Sequence, residues 1–319
     1  MQQLIDQVFI AAFDNPELRL REDQARLDLP PGRLAFTTDS YVVNPLFFPG
    51  GDIGCIAVNG TVNDLAVGGA HPLYLSCGVI IEEGLPLDTL QRVAASMRSA
   101  ADQAGVKLVT GDTKVVERGG ADKLFINTSG VGVIPPGVDL GARRVEPGDR
   151  LLLSGCVGDH GAAILSARGE LALEGDIRSD GAPLGGLMQA LLKAAPDCHT
   201  ARDITRGGLA AALNEIAAMA RRRILIEESA LPLREEVAAF CEILGLDPLH
   251  LANEGALVAF VPERQAQAAL AAVRATPAGT RAAIIGRVEQ GDARVEIRTG
   301  FGALRVVELP SGEQLPRIC

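Results

Sequence analysis

Short apolar runs alternate with longer amphipathic ones along the chain. Residues 1–14 put Leu4, Ile5, Val8, Phe9 and Ala12 on one helical face, and Asn15-Pro16 stops that helix. The pattern then predicts a strand over 34–43, interrupted by the polar Thr37-Thr38-Asp39-Ser40, and a helix entered between 54 and 61 that runs to 70. A strand at 74–81, a helix at 86–103, a short strand at 106–109 and a long β segment at 123–134 follow. Pro135-Pro136-Gly137 and Glu146-Pro147-Gly148-Asp149 are strong turn signals, and they put a domain boundary near residue 145.

The second half repeats the mixture. Strands are expected at 150–154, 224–227, 256–261, 282–288 and 294–297. Helices are expected at 160–168, 185–195, 208–220, 234–244 and 263–274. The pattern is that of an α/β (α+β) chain with two domains, 1–145 and 146–308. The last stretch, 309–319, reads LPSGEQLPRIC; its two prolines and a glycine, without apolar periodicity, predict an extended mobile tail.

A length of 319 residues suits two domains, and 47% hydrophobic residues supply a sizeable core. Aromatics are only 3%, so that core is mostly Ala, Leu, Val and Ile. A net charge of -10 without a basic tail argues against nucleic acid and anionic membranes as partners. The six cysteines form no CxxC pair, the N-terminus has no leader pattern, and no apolar run spans a bilayer. These features favour a soluble protein in the reducing cytoplasm. Five cysteines read as internal, whereas Cys319 ends the chain, where core packing offers no reason for it.

Three acidic stretches carry the candidate chemistry of the first half: TTDS with Asp39, VNGTVNDLAVGG with Asp64, and VTGDTK with Asp112. Each Asp alone can simply cap a turn or helix. Gathered at one sheet edge, the three offer the hard oxygen ligands that Mg²⁺ shares with substrate phosphates, with Lys114 as a nearby point charge. GxxxxGK[ST] is absent, which argues against a P-loop. In the second half, Arg202-Asp203-Ile204-Thr205-Arg206-Gly207-Gly208 precedes a small-residue helix. It reads either as an anion site clamped by Arg206 or as an ordinary cap with a surface ion pair. Glu254, ahead of an apolar strand, fits a general base or a turn carboxylate, and Asp159-His160 stand at a helix start. The four histidines lack zinc spacing. Cys319 is either an incidental terminal thiol or a covalent carrier on a swinging tail.

TDSYVVNPLFFPGGDIG, NGTVNDLAVGGA, VTGDTKVVERG, DKLFINTSG, GDHGAAIL, RDITRGGL, LGLDPLHLANEG and the terminal LPRIC together cover nearly the whole chain. In these segments the sequence resembles the HypE family of hydrogenase maturation factors, the carbamoyl dehydratases, within the aminoimidazole-ribonucleotide synthetase-like (PurM-like) superfamily. TDS, NDLA and GDTK point only to the superfamily, which includes ATP-dependent kinases and synthetases; PRIC narrows it.

The resemblance implies two α/β domains with an ATP site between them, and a homodimer joined through N-terminal domains whose strands form a barrel-like core. It implies Mg–ATP positions at Asp39, Asp64 and Asp112, with Asn59, Asn63 and Thr113 in the nucleotide motifs. Lys114 then lies on the phosphate side, and Asp203 and Arg206 face the cleft. It further implies Cys319 as the carbamoyl acceptor, HypF as donor, a HypC–HypD complex as cyanide acceptor, and Glu254 as base, with His160 a second candidate. Relatives carry a glycine-rich segment ahead of the first helix that helps cover the phosphates. This sequence starts inside that helix, which implies weaker nucleotide cover. A scaffold whose tail only docks on maturation proteins is the non-enzymatic alternative.

Overall fold

A computed structural model describes residues 2–22, 24–169 and 176–309. The chain opens with helical turns, Gln2–Leu4 and Ala11–Phe13, flanking a π-helical stretch at Ile5–Ile10. Asn15 ends the run because its side chain is committed elsewhere. It accepts from the Leu18 N–H at 3.0 Å, capping Pro16–Arg19, and donates to the Leu108 carbonyl at 2.8 Å.

The first domain is built on β1 (Arg33–Tyr41), a small ribbon of β2 (Phe47–Phe48) and β3 (Gly51–Asp52), then β4 (His71–Glu82), β5 (Lys107–Val116) and β6 (Leu124–Ile134). The main sheet has the order β1-β6-β4-β5. Only β4 and β5 pair in parallel, and the helix Leu87–Ala104 supplies the crossover that a parallel pair needs. The helix Ile53–Val67 starts where the Asp52 carboxylate accepts from the N–H groups of Gly54 (2.7 Å) and Cys55 (3.1 Å). Apolar and small residues surround this helix on every side, so it is buried. It packs on β1 and β6, and on the second domain through β8 (Thr200–Asp203) and the helix Gly185–Ala194.

Two expectations change here. β1 is not interrupted at Thr37–Ser40, because ladder bonds to β6 need no apolar side chains. Ala35, Thr37, Asp39 and Tyr41 alternate toward the buried helix while Leu34, Phe36, Thr38 and Ser40 face outward. β5 does not stop at 109 either: Gly111 to Lys114 continue the ladder against Cys77 to Ile80. The outward face of this sheet exposes Phe36 (68%) and Leu34 (62%).

The second domain adds β7 (Arg150–Leu153), β8, β9 (Arg223–Glu227), β10 (Leu257–Val261), β11 (Ala283–Glu289), β12 (Arg294–Arg298) and β13 (Leu304–Val306). They form one sheet in the order β13-β12-β9-β11-β7-β10-β8. β10 is buried along its whole length, hence its unbroken apolar run LVAFV. The helix Gly208–Ala220 shares a core with Leu151, Val258 and Ile285 on one face of the sheet. Gly185–Ala194 and Glu263–Arg274 contribute to the core around Leu152, Leu257 and Ala259 on the other. Among the described residues no helix is long and apolar enough to cross a membrane.

A candidate nucleotide cleft between the two domains

β1 and the helix Ile53–Val67 form one wall of a cleft of about 790 Å³; β8 and the start of Gly208–Ala220 form the other. Alternation along β1 sends Thr37, Asp39 and Tyr41 to the side of the sheet that meets Asp64. Thr37 Oγ1 donates to Asp64 Oδ2 at 2.8 Å, and Tyr41 Oη donates to Asp39 Oδ2 at 3.2 Å. Gly60 leaves the space that Tyr41 occupies: a Cβ there would stand 2.2 Å from the phenol oxygen. From the second domain come Arg202, Asp203 and Arg206, with Glu215 one turn beyond Ala211 and Glu254 from the loop ahead of β10. Gly208 is required where that helix begins, since a Cβ would meet the Leu249 and Leu251 carbonyl oxygens at 2.5 Å.

Carboxylates crowd this cleft. Burial pushes Asp64 up to about 6, with the Asp39 charge adding to the effect. Asp203 rises to about 7, again chiefly by burial and then by the charges of Asp64 and Asp39. Among the described residues Asp39, Asp64, Asp203, Glu215 and Glu254 line the cleft against Arg202 and Arg206. A polyphosphate therefore enters favourably only with cations. Among the described residues no three acidic or sulfur and imidazole groups converge to cage a metal ion alone. Asp39 and Asp64 instead fit Mg²⁺ held by one or two carboxylates together with phosphate oxygens.

These raised values have a consequence for folding. Between about pH 4 and pH 7 the folded chain keeps protons on Asp64 and Asp203 that the unfolded chain releases, so both groups weaken folding as pH rises through that window. Asp203→Asn is expected to raise the melting temperature at pH 8 by about 2–4 °C for each kcal/mol of repulsion removed, with no gain at pH 4. Calorimetric scans of both proteins at the two pH values check this.

Other expected site residues lie elsewhere. Asp112 falls in one row across the sheet with Gly78, Asn127 and Ser40, so it stands on the outward face, opposite to Asp39. Three strand spacings separate it from β1, about 14 Å. Within one chain it does not join Asp39 and Asp64; it pairs with Lys114 at 2.8 Å, whose amine holds its carboxyl below the usual range. Thr113 alternates to the inner side, where it lines a small cavity with Ile5 and Phe9. Asn63 spends its amide on backbone, donating to the Ala182 and Glu254 carbonyls (3.1 and 3.3 Å) and accepting from Leu184 N–H (2.7 Å). Asn59 is buried, with an unpartnered Oδ1. His160 is fully buried, bonded through Nδ1 to Ser179 Oγ at 2.8 Å and set edge-on to Phe48. Burial pushes it down to about 4, so it is neutral at pH 7, and it does not line the cleft. Cys319 lies outside the described residues. Tyr41 and Glu215 were not anticipated, although a continuous β1 would have pointed Tyr41 inward with Asp39.

Fold and cleft together define a member of the AIR synthase related class. The N-terminal domain of AIR synthase related protein matches residues 21–134, and its C-terminal domain matches 146–298. The carbamoyl dehydratase HypE of Rhodobacter capsulatus is 59% identical, over 100% of this chain and 95% of its own. A hydrogenase maturation protein HypE solved in complex with ATP superposes with a TM-score of 0.96 at 51% identity, over 100% of this chain and 96% of that one. A HypE–HypF complex gives 0.85 at 48% identity, over 96% and 99%. The chain belongs to the HypE family of carbamoyl dehydratases of hydrogenase maturation.

Proposed function

We propose that the chain binds ATP in this cleft and uses it to dehydrate an S-carbamoyl group on its own Cys319 to a thiocyanate, the cyanide source for the iron of a [NiFe]-hydrogenase. The observation that carries the reading is where the tail begins. Asn214 Nδ2 donates to the Val307 carbonyl at 2.9 Å, on the helix whose Ala211 and Glu215 line the cleft. From that anchor the remaining residues reach up to about 40 Å when extended, ample to carry Cys319 in.

The carbamoyl oxygen is a poor leaving group. It takes the γ-phosphoryl group of ATP, releasing ADP, and then departs as phosphate while nitrogen gives up its two protons and C≡N forms. Arg202 and Arg206 are placed to offset charge on the transferring group. Asp39 and Asp64 would hold Mg²⁺, which would supply neutralisation of phosphate charge there. Asp203 faces the same phosphates, and Tyr41 keeps Asp39 aimed. Glu254, buried in the cleft wall, takes a proton from nitrogen. His160 supports the fold instead.

The complex of a HypE with HypF supports a HypF-type carbamoyltransferase as donor, with a HypC–HypD complex as acceptor. The open face of the first sheet, with Phe36 and Leu34 exposed, supports a homodimer through the N-terminal domains. In that assembly Asp112 and Lys114, on the outward face, are at or near the interface with Thr113 behind them, and they serve a nucleotide only if a second copy brings one to them. Domains at 1–145 and 146–308 with a tail at 309–319 fit this division of labour.

Intact-mass measurement with the carbamoyltransferase, carbamoyl phosphate and ATP tests the reading. The tail peptide should gain one carbamoyl group and then lose one water, both at Cys319. ATP consumption with an unchanged tail mass refutes it.

A further inference from the structure

The Glu254 loop is held from behind by a carboxylate that no sequence motif singled out. Asp180 Oδ1 accepts the Glu254 N–H at 3.0 Å; its Oδ2 accepts Asn253 Nδ2 at 2.7 Å and the Gly255 N–H at 3.2 Å. All three donors come from one turn. The Asp180 backbone lies so close that a Cβ on Gly255 would stand 1.9 Å from its carbonyl oxygen. The Glu254 carbonyl accepts in turn from Ala182 N–H (3.4 Å) and Asn63 Nδ2 (3.3 Å).

The strap that carries Asp180 is itself fixed on both domains. Ser179 N–H donates to the Pro49 carbonyl at 2.9 Å, and Ser179 Oγ meets His160 Nδ1. Asn253 is tied further through Cys156 O (2.9 Å) and Gly158 N–H (2.8 Å). Burial pushes Asp180 up to about 6, with the Asp159 charge adding to the rise, while the Glu254 N–H and the Asn253 amide pull it down; N–H donors aimed at both of its oxygens suit the carboxylate form. A buried carboxylate is a costly way to brace a turn. Its particular merit is two acceptor oxygens and no donor. An amide in its place turns an NH₂ group against an N–H whichever way it is flipped.

We infer that Asp180 is the positioning residue for Glu254: it grips the backbone of the 253–255 turn and so sets the direction in which the Glu254 carboxylate enters the cleft. This rests on the reading of Glu254 as the base. The step affected is proton removal from nitrogen: the Asp180 carboxylate bonds the 253–255 turn and not β1 or Asp64, and the turn meets the wall helix through backbone, at the Glu254 carbonyl bonded to Asn63 Nδ2. A reacting group displaced by about 1 Å loses on the order of 10²-fold in rate.

The test is a double-mutant cycle, Asp180→Asn, Glu254→Gln and the pair, read as single-turnover dehydration of a tail already carbamoylated by the partner enzyme. Asp180→Asn alone should slow dehydration about 10²-fold, with carbamoyl loading and the KM for ATP unchanged. In the Glu254→Gln background it should cost less than about 2-fold, because a residue acting through Glu254 has nothing left to position. Asp180→Ala, which admits water to the three donors, is measured alongside in case the amide prevents folding. Equal losses in both backgrounds, or no loss in the wild-type background, overturn the proposal while leaving the base assignment standing. Undiminished dehydration by Glu254→Gln alone removes the base assignment, and this proposal with it.

Discussion

Cys319→Ala is expected to abolish thiocyanate formation completely while ATP binds with unchanged affinity. On the proposed reading the cleft supplies cations, carboxylates and shelter, the group to be dehydrated arrives on the tail, and none of the five described thiols is placed to replace it. Burial pushes Cys77 and Cys198 up to about 12 and Cys55 and Cys241 up to about 11; the half-buried Cys55 is tied to the Asp52 backbone at a helix start. Cys156 is raised as well. A neutral thiol is a poor nucleophile, and these five sit within or beside the cores they pack. A serine at 319 restores shape without the thiolate, so Cys319→Ser should fail equally. Tail mass and cyanide transfer report on chemistry, and equilibrium dialysis reports on nucleotide binding. Product formed without the thiol would sink the carrier reading and leave a scaffold or small-molecule kinase as the better account. Lost ATP binding in the same variant would instead make the tail part of the nucleotide pocket.

The sequence disclosed the long amphipathic elements well, because their periodicity is set by the core they face. Gly208–Ala220 and Glu263–Arg274 match their expected spans residue for residue. It concealed the sheet margins. β8 reads Thr-Ala-Arg-Asp and β13 is exposed throughout, so neither has an apolar run to betray it. The apolar pattern lapses at Thr37–Ser40 within the continuous β1 for the same reason: its inward face there borders a polar cleft rather than a core. Motif spacing grouped Asp39, Asp64 and Asp112, but register decides which of them share a face, and register is a tertiary fact. It unites Asp39 with Asp64 and Asp203 and puts Asp112 on the far side of the sheet. Asp180 was invisible because its meaning lies in three donors more than seventy positions away.

Asp64→Asn should reduce ATP-dependent turnover by about 10²–10³-fold, the usual loss when one preorganised electrostatic group is removed. The amide keeps the shape of the side chain and an acceptor for Thr37 Oγ1, so the buried helix that carries it should remain in place. On the proposed reading it removes a charge that would balance Mg²⁺ at the phosphates. Loading of Cys319 by the carbamoyltransferase does not use that charge and should continue, so carbamoylated protein accumulates without dehydration. The pH profile gives a second, independent signature. Burial and Asp39 push Asp64 up to about 6, so wild-type activity should fall as pH drops through that value and the carboxylate takes up its proton. In Asp64→Asn that limb should flatten, and the concentration of Mg²⁺ giving half-maximal rate should rise at pH 8. The like-charge crowding is relieved by the same substitution, so the inactive variant should melt at a higher temperature than wild type at pH 8. Turnover that keeps its rate, its Mg²⁺ requirement and its acid limb in Asp64→Asn would move the metal site away from this helix altogether.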